Sequence, residues 1–138
     1  MSALQAALHG EQAAVYAFGV VGGQAGTAHR AAARSALAQH ALQRDLLAAR
    51  LSAARQRVDP AAAAYALPFE VDGGASARAL AAHVESGLAA AYADLVGACD
   101  PARRSEAAGW LATSVLRAGT WGADPVPFPG LPERADAT

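Results

Sequence analysis

An apolar stripe that contains two ionisable side chains is the feature of this sequence that most constrains its fold. In residues 33–51 the stripe reads Ala33, Leu37, His40, Arg44, Leu47 and Leu51. Residues at this spacing share one face of a helix, so His40 and Arg44 are predicted to point into a core. An ionisable group buried without a partner is strongly unfavourable. Other helices must therefore place polar partners opposite this pair.

Three further segments show helical periodicity, which predicts an all-α fold. An Asp59-Pro60 pair is expected to stop the second helix, and Asp100-Pro101 is expected to start the fourth. The predicted helices are residues 2–23, 27–58, 75–99 and 101–121.

Two segments are predicted to be non-helical. Residues 59–74 are long enough to run the length of a bundle, and Pro68 keeps their middle extended, so they should form a strap over the helices. The tail, residues 122–138, is rich in proline and is expected to be neither helix nor strand. We expect Phe128 and Leu131 to hold its first half against the bundle and its last residues to be loose.

The first and third helices each carry an acid in the middle of their apolar stripe, Glu11 and Glu85. Arg117 lies at the edge of the stripe of the fourth helix. Arginine is a suitable partner for these acids because its planar guanidinium binds a carboxylate through two hydrogen bonds. The sequence therefore predicts a buried polar network of Glu11, His40, Arg44, Glu85 and Arg117.

Composition and charge argue against several classes of protein. The net charge is −1 and both signs are interspersed, so no basic face is available for nucleic acid. No apolar run reaches the length of about 18 residues that a membrane span needs. Cys99 is the only cysteine and no signal peptide is recognisable, which predicts a cytoplasmic protein. The 138 residues are expected to form one domain.

The polar residues stand in a pattern that resembles a known family. The pattern comprises Glu11-x-x-Ala14-Val15-Tyr16, His40 with Arg44-Asp45, Tyr65-Ala-Leu-Pro68, Leu80-Ala-x-x-x-Glu85 and Phe128-Pro-Gly-Leu131. Four helices with mid-helix glutamate and histidine resemble the ferritin-like superfamily. The whole pattern is similar to an uncharacterised ferritin-like family of high-GC Gram-positive bacteria that is catalogued as a domain of unknown function. This resemblance covers nearly the whole chain and implies a ferritin-like four-helix bundle.

For metal binding, the resemblance implies a degenerate site. Active ferritin-like proteins hold two ions with one Glu from each of two helices and a Glu-x-x-His motif from each of the other two. Glu11 and Glu85 match the single glutamates, and His40 matches one histidine. Leu37 stands where that motif has its glutamate, and the fourth helix has no histidine. The two acids and two arginines of the predicted network already balance, so an added divalent ion would leave uncompensated charge in the core.

Two functions of different classes follow from this reading. The leading hypothesis is a non-enzymatic structural or interaction module without catalytic residues or a cofactor. A second apolar seam on the second helix predicts contact with a covering segment or a second subunit, and we expect a homodimer; its residues are Leu42, Leu46, Ala49 and Ala53. The alternative is a metal-binding oxidoreductase or small-molecule-binding protein in which Glu11, His40 and Glu85 hold a single iron, manganese or zinc ion. The sequence identifies no substrate and no protein partner.

Overall fold

The protein is a bundle of four α-helices. The computed structural model describes residues 1–131, and those residues contain no strand. The helices are α1 (Ala3–Gln24), α2 (Gly26–Ala53), α3 (Gly74–Ala98) and α4 (Pro101–Thr120). This confirms the predicted all-α four-helix fold, and the observed ends lie within one residue of the predicted ones except at the end of α2. The remaining tail residues, 132–138, with the prediction that the last ones are loose, lie outside the described part of the chain.

The helices pack in a fixed order around an alanine-rich core. Helix α1 packs against both α2 and α3, and α3 packs against α4. Small buried residues on the facing stripes let the helix axes approach closely; they include Ala7, Ala14, Ala33, Ala77 and Ala81. Gly10 contributes to this approach, because a Cβ atom at that position would lie 2.8 Å from Leu88 Cδ2 of α3.

Helices α2 and α4 are joined mainly by long polar side chains. Arg50 Nη2 donates to Glu106 Oε1 at 2.7 Å near one end. Arg117 donates to Gln39 near the other end. Both pairs are solvent-exposed, and exposed polar pairs contribute little to stability. The apolar packing of α4 is therefore mostly against α3.

Helix α2 ends five residues earlier than predicted, at Ala53 rather than residue 58. The chain turns at Arg55, which has a positive φ of 55°. Gln56 N–H donates to Leu51 O and Arg55 N–H donates to Ser52 O, both at 2.9 Å. This hydrogen-bond pattern is a Schellman motif, which satisfies the last carbonyls of the helix. The prediction that Asp59-Pro60 stops α2 was wrong because the left-handed turn ends the helix first.

The connection over residues 54–73 lies on α1 and α3. Gln12 Nε2 of α1 donates to the carbonyl oxygen of Asp59 at 2.8 Å. The Tyr65 ring packs on Tyr16 of α1 with centroids 5.6 Å apart. Further along, the ring of Phe69 meets that of His83 of α3. The connection is thus a strap over α1 and α3, and it leaves Leu42 and Leu46 of α2 exposed.

The described part of the tail returns to α3. Gly130 has a φ of 76°, and a Cβ atom there would lie 3.2 Å from Ala90 Cβ. Phe128 and Leu131 are each more than one-third exposed. The tail backbone therefore lies close to α3 at Gly130. The side chains of Phe128 and Leu131 are only partly covered.

No helix within residues 1–131 combines the length and apolar character that a membrane crossing requires. The cytoplasmic location stays a prediction.

Replacing Arg55 by glycine is expected to stabilise the protein by about 1 kcal/mol, because a residue with a Cβ atom pays a steric penalty in the left-handed conformation that glycine avoids. Chemical denaturation would measure the gain. Arg57→Gly is the matched control, since Arg57 is an exposed arginine of the same loop without a positive φ. A loss of stability in Arg55→Gly equal to that in Arg57→Gly would contradict the assignment of strain to Arg55.

Candidate functional site: a buried carboxylate–histidine centre

Three helices each place one ionisable side chain at the middle of the core. Glu11 comes from α1, His40 from α2 and Glu85 from α3. Their relative exposures are 2%, 0% and 0%. Each residue lies within a stripe of Ala and Leu, so the packing of those stripes carries the polar side chains inward. No side chain of this kind comes from the middle of α4.

His40 is hydrogen-bonded on both edges of its ring. Its Nδ1 lies 2.7 Å from Glu11 Oε2, and its Nε2 lies 2.8 Å from Glu85 Oε1. An ionised carboxylate only accepts hydrogen bonds, so both ring nitrogens must carry a proton for both bonds to form. The geometry therefore assigns an imidazolium to His40.

Two aromatic side chains complete the surroundings of His40 and Glu11. The Tyr92 hydroxyl donates to Glu11 Oε1, the carboxylate oxygen that His40 does not use. The ring of Phe18 stacks on the His40 ring, with centroids 5.0 Å apart and an interplanar angle of 24°. We refer to Glu11, His40, Glu85 and Tyr92 as the buried centre.

The protonation of His40 reflects a balance of opposing effects. Burial disfavours the charged ring and lowers its pKa. The hydrogen bonds and negative charges of Glu11 and Glu85 act in the opposite direction and outweigh burial, which raises the pKa of His40 from 6.5 to about 9. His40 therefore stays protonated at neutral pH.

Tyr92 keeps its proton for related reasons. Burial first, and then the negative charge of Glu11, raise the pKa of Tyr92 well above its ordinary value. The positive charge of Arg117 has the opposite and smaller effect. The hydroxyl thus remains a hydrogen-bond donor to Glu11 throughout the physiological pH range.

The centre contains one unbalanced carboxylate. An imidazolium between two ionised carboxylates leaves a formal charge of −1. In residues 1–131, Glu85 Oε2 is buried without a hydrogen-bond partner, and so is the amide nitrogen of Gln43, a neighbour of Tyr92. Buried polar atoms are normally satisfied. Each of these two atoms therefore has unused capacity for a hydrogen bond.

Two of the five predicted network residues lie outside the centre. Both Nε and Nη2 of Arg44 lie 2.9 Å from Asp45 Oδ1, and the Arg44 side chain is one-third exposed. The guanidinium of Arg117 reaches Gln39. The prediction that these arginines contact the acids was wrong. The buried face of α2 runs through Ala36 and His40 to Leu47 and Leu51; Arg44 lies at its rim, where a long side chain can keep its charge in water.

The sequence interpretation missed the role of Tyr92. The hydroxyl lies seven residues after Glu85, two turns along the same stripe, and a buried tyrosine normally finds a hydrogen-bond partner. That spacing was a usable signal. The stacking of Phe18 on His40 could not be inferred, because it depends on how α1 and α2 are rotated against each other.

The donor atoms do not fit a single shared metal ion. A histidine ligand binds a metal through one nitrogen, with the other ligands grouped around that same ion. Here the two carboxylates lie at opposite edges of the ring, with the ring itself between them. Among the described residues no group of three or more His, Cys, Asp or Glu side chains is arranged to hold one ion.

Two surface cavities lie away from the buried centre. One, of about 500 Å³, lies at the end of the bundle where Arg50, Cys99 and Trp110 meet. The other, of about 450 Å³, is an apolar groove between α3, α4 and the tail, lined in part by Leu116 and Gly130. No residue of the buried centre lines either cavity. These cavities therefore give no access to His40.

The fold and the centre define an all-α bundle with a closed carboxylate–histidine core, and comparison with known proteins gives its family. The chain belongs to the family described as "Domain of unknown function (DUF4439)", which matches residues 3–133. It is also similar to the crystal structure of a conserved hypothetical protein, rv2844, from Mycobacterium tuberculosis. That structure shares 33% sequence identity, with a TM-score of 0.82 over 86% of this chain and 91% of that chain. A comparison with curated proteins returned no match.

The stability of the protein is expected to fall as the pH rises from about 6.5 to about 9. Below this window His40 is protonated in both the folded and the unfolded chain. Within it, the unfolded chain releases the proton while the folded protein still holds it, so the free energy of unfolding decreases with pH. The total loss is on the order of 3 kcal/mol. Urea denaturation at a series of pH values would measure it.

Two variants test the origin of this pH dependence. Glu85→Gln removes one negative charge beside His40, so the upper end of the window should move to lower pH. His83→Gln is the control, because His83 is an exposed histidine of the same helix and its loss should leave the window unchanged. Constant stability between pH 6 and 9 in the unsubstituted protein would contradict the assignment of an imidazolium.

Tyr92→Phe is expected to lower the free energy of unfolding by about 1–3 kcal/mol, because it leaves a buried carboxylate oxygen of Glu11 without a donor. Tyr16→Phe is the matched control: the Tyr16 hydroxyl makes no hydrogen bond to the described residues, so its removal should change stability little. Denaturation curves of both variants would give the difference. Equal effects would show that the hydrogen bond to Glu11 contributes nothing measurable.

Proposed function

We propose that this protein is a ferritin-like bundle whose metal site has been replaced by the buried centre, and that it acts as a non-enzymatic structural or interaction module. One observation carries the proposal: both nitrogens of His40 are occupied by the two carboxylates that a metal ion would need. These hydrogen bonds link α1, α2 and α3 through His40 without a ligand, although Glu85 Oε2 remains unpaired.

The distribution of donors among the helices supports this proposal. Di-metal proteins of the ferritin-like kind draw ligands from all four helices. In this chain α4 contributes none, and Leu37 stands one turn before His40 on α2, where a glutamate would be needed. The remaining donors come from three helices and converge on an imidazolium.

The proton on His40 also disfavours metal binding. A metal ion binds neutral imidazole, so it would first have to displace a proton that is held with a pKa of about 9. At neutral pH this displacement costs about 3 kcal/mol, at 1.36 kcal/mol per pKa unit. Loss of the imidazolium would also break at least one of the two short hydrogen bonds of His40. Metal binding therefore competes with interactions that already stabilise the fold.

Elemental analysis of protein purified without chelator, before and after aerobic incubation with excess ferrous, manganous and zinc ions, tests the proposal. We expect a metal content far below one ion per chain in the unsubstituted protein. Glu11→Ala should show the same background content. A tightly bound ion that is present in the unsubstituted protein and absent from Glu11→Ala would overturn the proposal.

A metal-binding or small-molecule-binding function is the second candidate, favoured by the unpaired Glu85 Oε2 and the unpaired amide of Gln43. These atoms could accept and donate hydrogen bonds to a guest if the core opened. His40→Ala separates the two functions. In the first, the variant only loses stability, because Glu11 and Glu85 are left buried without their cation; in the second, it also loses stoichiometric binding of the added metal.

If the core binds no ligand, the surface of the module is where a partner would bind. Several large apolar side chains are exposed on the described chain, with Leu42 at 71% and Leu116 at 72%. Such residues are typical of contact surfaces when they form a continuous patch. On α2, Leu42 and Leu46 lie one turn apart on the same exposed face, and association of two copies through this face is the partner contact that we propose.

A further inference from the structure

The outer face of α2 carries a continuous apolar seam. We call it the outer seam; it consists of Leu42, Leu46, Ala49 and Ala53. All of its members are exposed, Leu42 by 71% and Leu46 by 36%. Their spacing of four, three and four residues keeps them in line on one face of the helix. That face points away from the one that holds His40, Leu47 and Leu51.

The non-helical segments of the chain lie elsewhere. The strap packs on α1 and α3 through Tyr65 and Phe69, and the tail approaches α3 at Gly130. The described chain, residues 1–131, therefore does not cover the outer seam.

The outer seam of one chain is complementary to the outer seam of a second copy when the two α2 helices are antiparallel. When two α2 helices pack antiparallel about a two-fold axis between Leu47 and Ala48, Leu42 lies opposite Ala53 of the second copy and Leu46 lies opposite Ala49. Each large side chain then faces a small one, which allows close packing along the whole seam. In a parallel pair, leucine would face leucine and alanine would face alanine, which alternates crowding with gaps.

We propose that the outer seam is a self-association surface on which a second copy of this chain packs antiparallel through α2, forming a two-fold symmetric dimer. The contact is isologous and therefore closes after two copies. It names the partner for the interaction role proposed above and rests on that role. Because the seam and the buried centre lie on different faces of α2, the metal measurement and the dimer measurement can fail independently of each other.

Disulfide crosslinking tests the orientation. In a Cys99→Ser background, Leu42→Cys and Ala53→Cys are prepared as separate chains, mixed under reducing conditions and then oxidised. We expect crosslinked dimers in the mixture and none with either chain alone, because in the antiparallel pair each cysteine lies roughly 16 Å along the axis from its own copy. Crosslinking of each variant with itself, or no crosslinking in the mixture, would overturn the proposal.

Sedimentation of the unsubstituted chain over a range of concentrations gives a second measurement that does not depend on introduced cysteines. We expect a concentration-dependent dimer, since one helix face from each copy makes a small contact and small interfaces are weak. Leu42→Glu should shift the protein to monomer, whereas Leu116→Glu should not, because Leu116 is equally exposed but lies on α4. A monomer at every concentration, or a dimer dissociated by Leu116→Glu alone, would show that the outer seam does not join two copies.

Discussion

The double hydrogen bond of His40 is the interaction on which the rest of the bundle depends. A carboxylate and an imidazolium that enter a core lose much hydration, and this cost is offset only when each finds its partner at short range. The distances of 2.7 and 2.8 Å can be reached only if α1, α2 and α3 keep one rotation and one axial register. The polar centre therefore selects the arrangement of three helices, in a core whose many alanines would by themselves permit several.

Helix α4 is held by different forces. It supplies no member of the buried centre, and its polar links to α2 are exposed. Its contact with the centre is indirect: the Trp110 ring packs on Tyr92 with centroids 5.7 Å apart, while Tyr92 donates to Glu11. Packing on α3 thus places α4 as a cover over a core that the other three helices have already defined. This division of roles also explains why an α4 without a buried ionisable side chain is compatible with the fold.

The sequence was sufficient for part of this description. Apolar periodicity identified four helices and the three acids and bases at the centre, Glu11, His40 and Glu85, because burial of a stripe is a local property of each helix. It failed for Arg44, since heptad spacing cannot distinguish the middle of a buried face from its rim. It also failed at the end of α2, where a left-handed Arg55 replaces the glycine that normally signals such a turn. The pairing of each carboxylate with a separate edge of His40 depends on helix rotation, which no single helix encodes.

The two opposite faces of α2 have different roles: one stabilises the bundle, and the other is the surface proposed for association. His40 ties one face to α1 and α3, and its ring lies between the two carboxylates, so a shared ion could enter only if the ring left its stacking position on Phe18. Such a movement would break the hydrogen bonds that fix the register of the bundle. The opposite face carries apolar side chains that contribute nothing to this core, and their exposure has a solvation cost that the isolated chain does not recover. A second copy packed on the outer seam would remove that cost without disturbing His40, and this is the physical argument for the association that we propose.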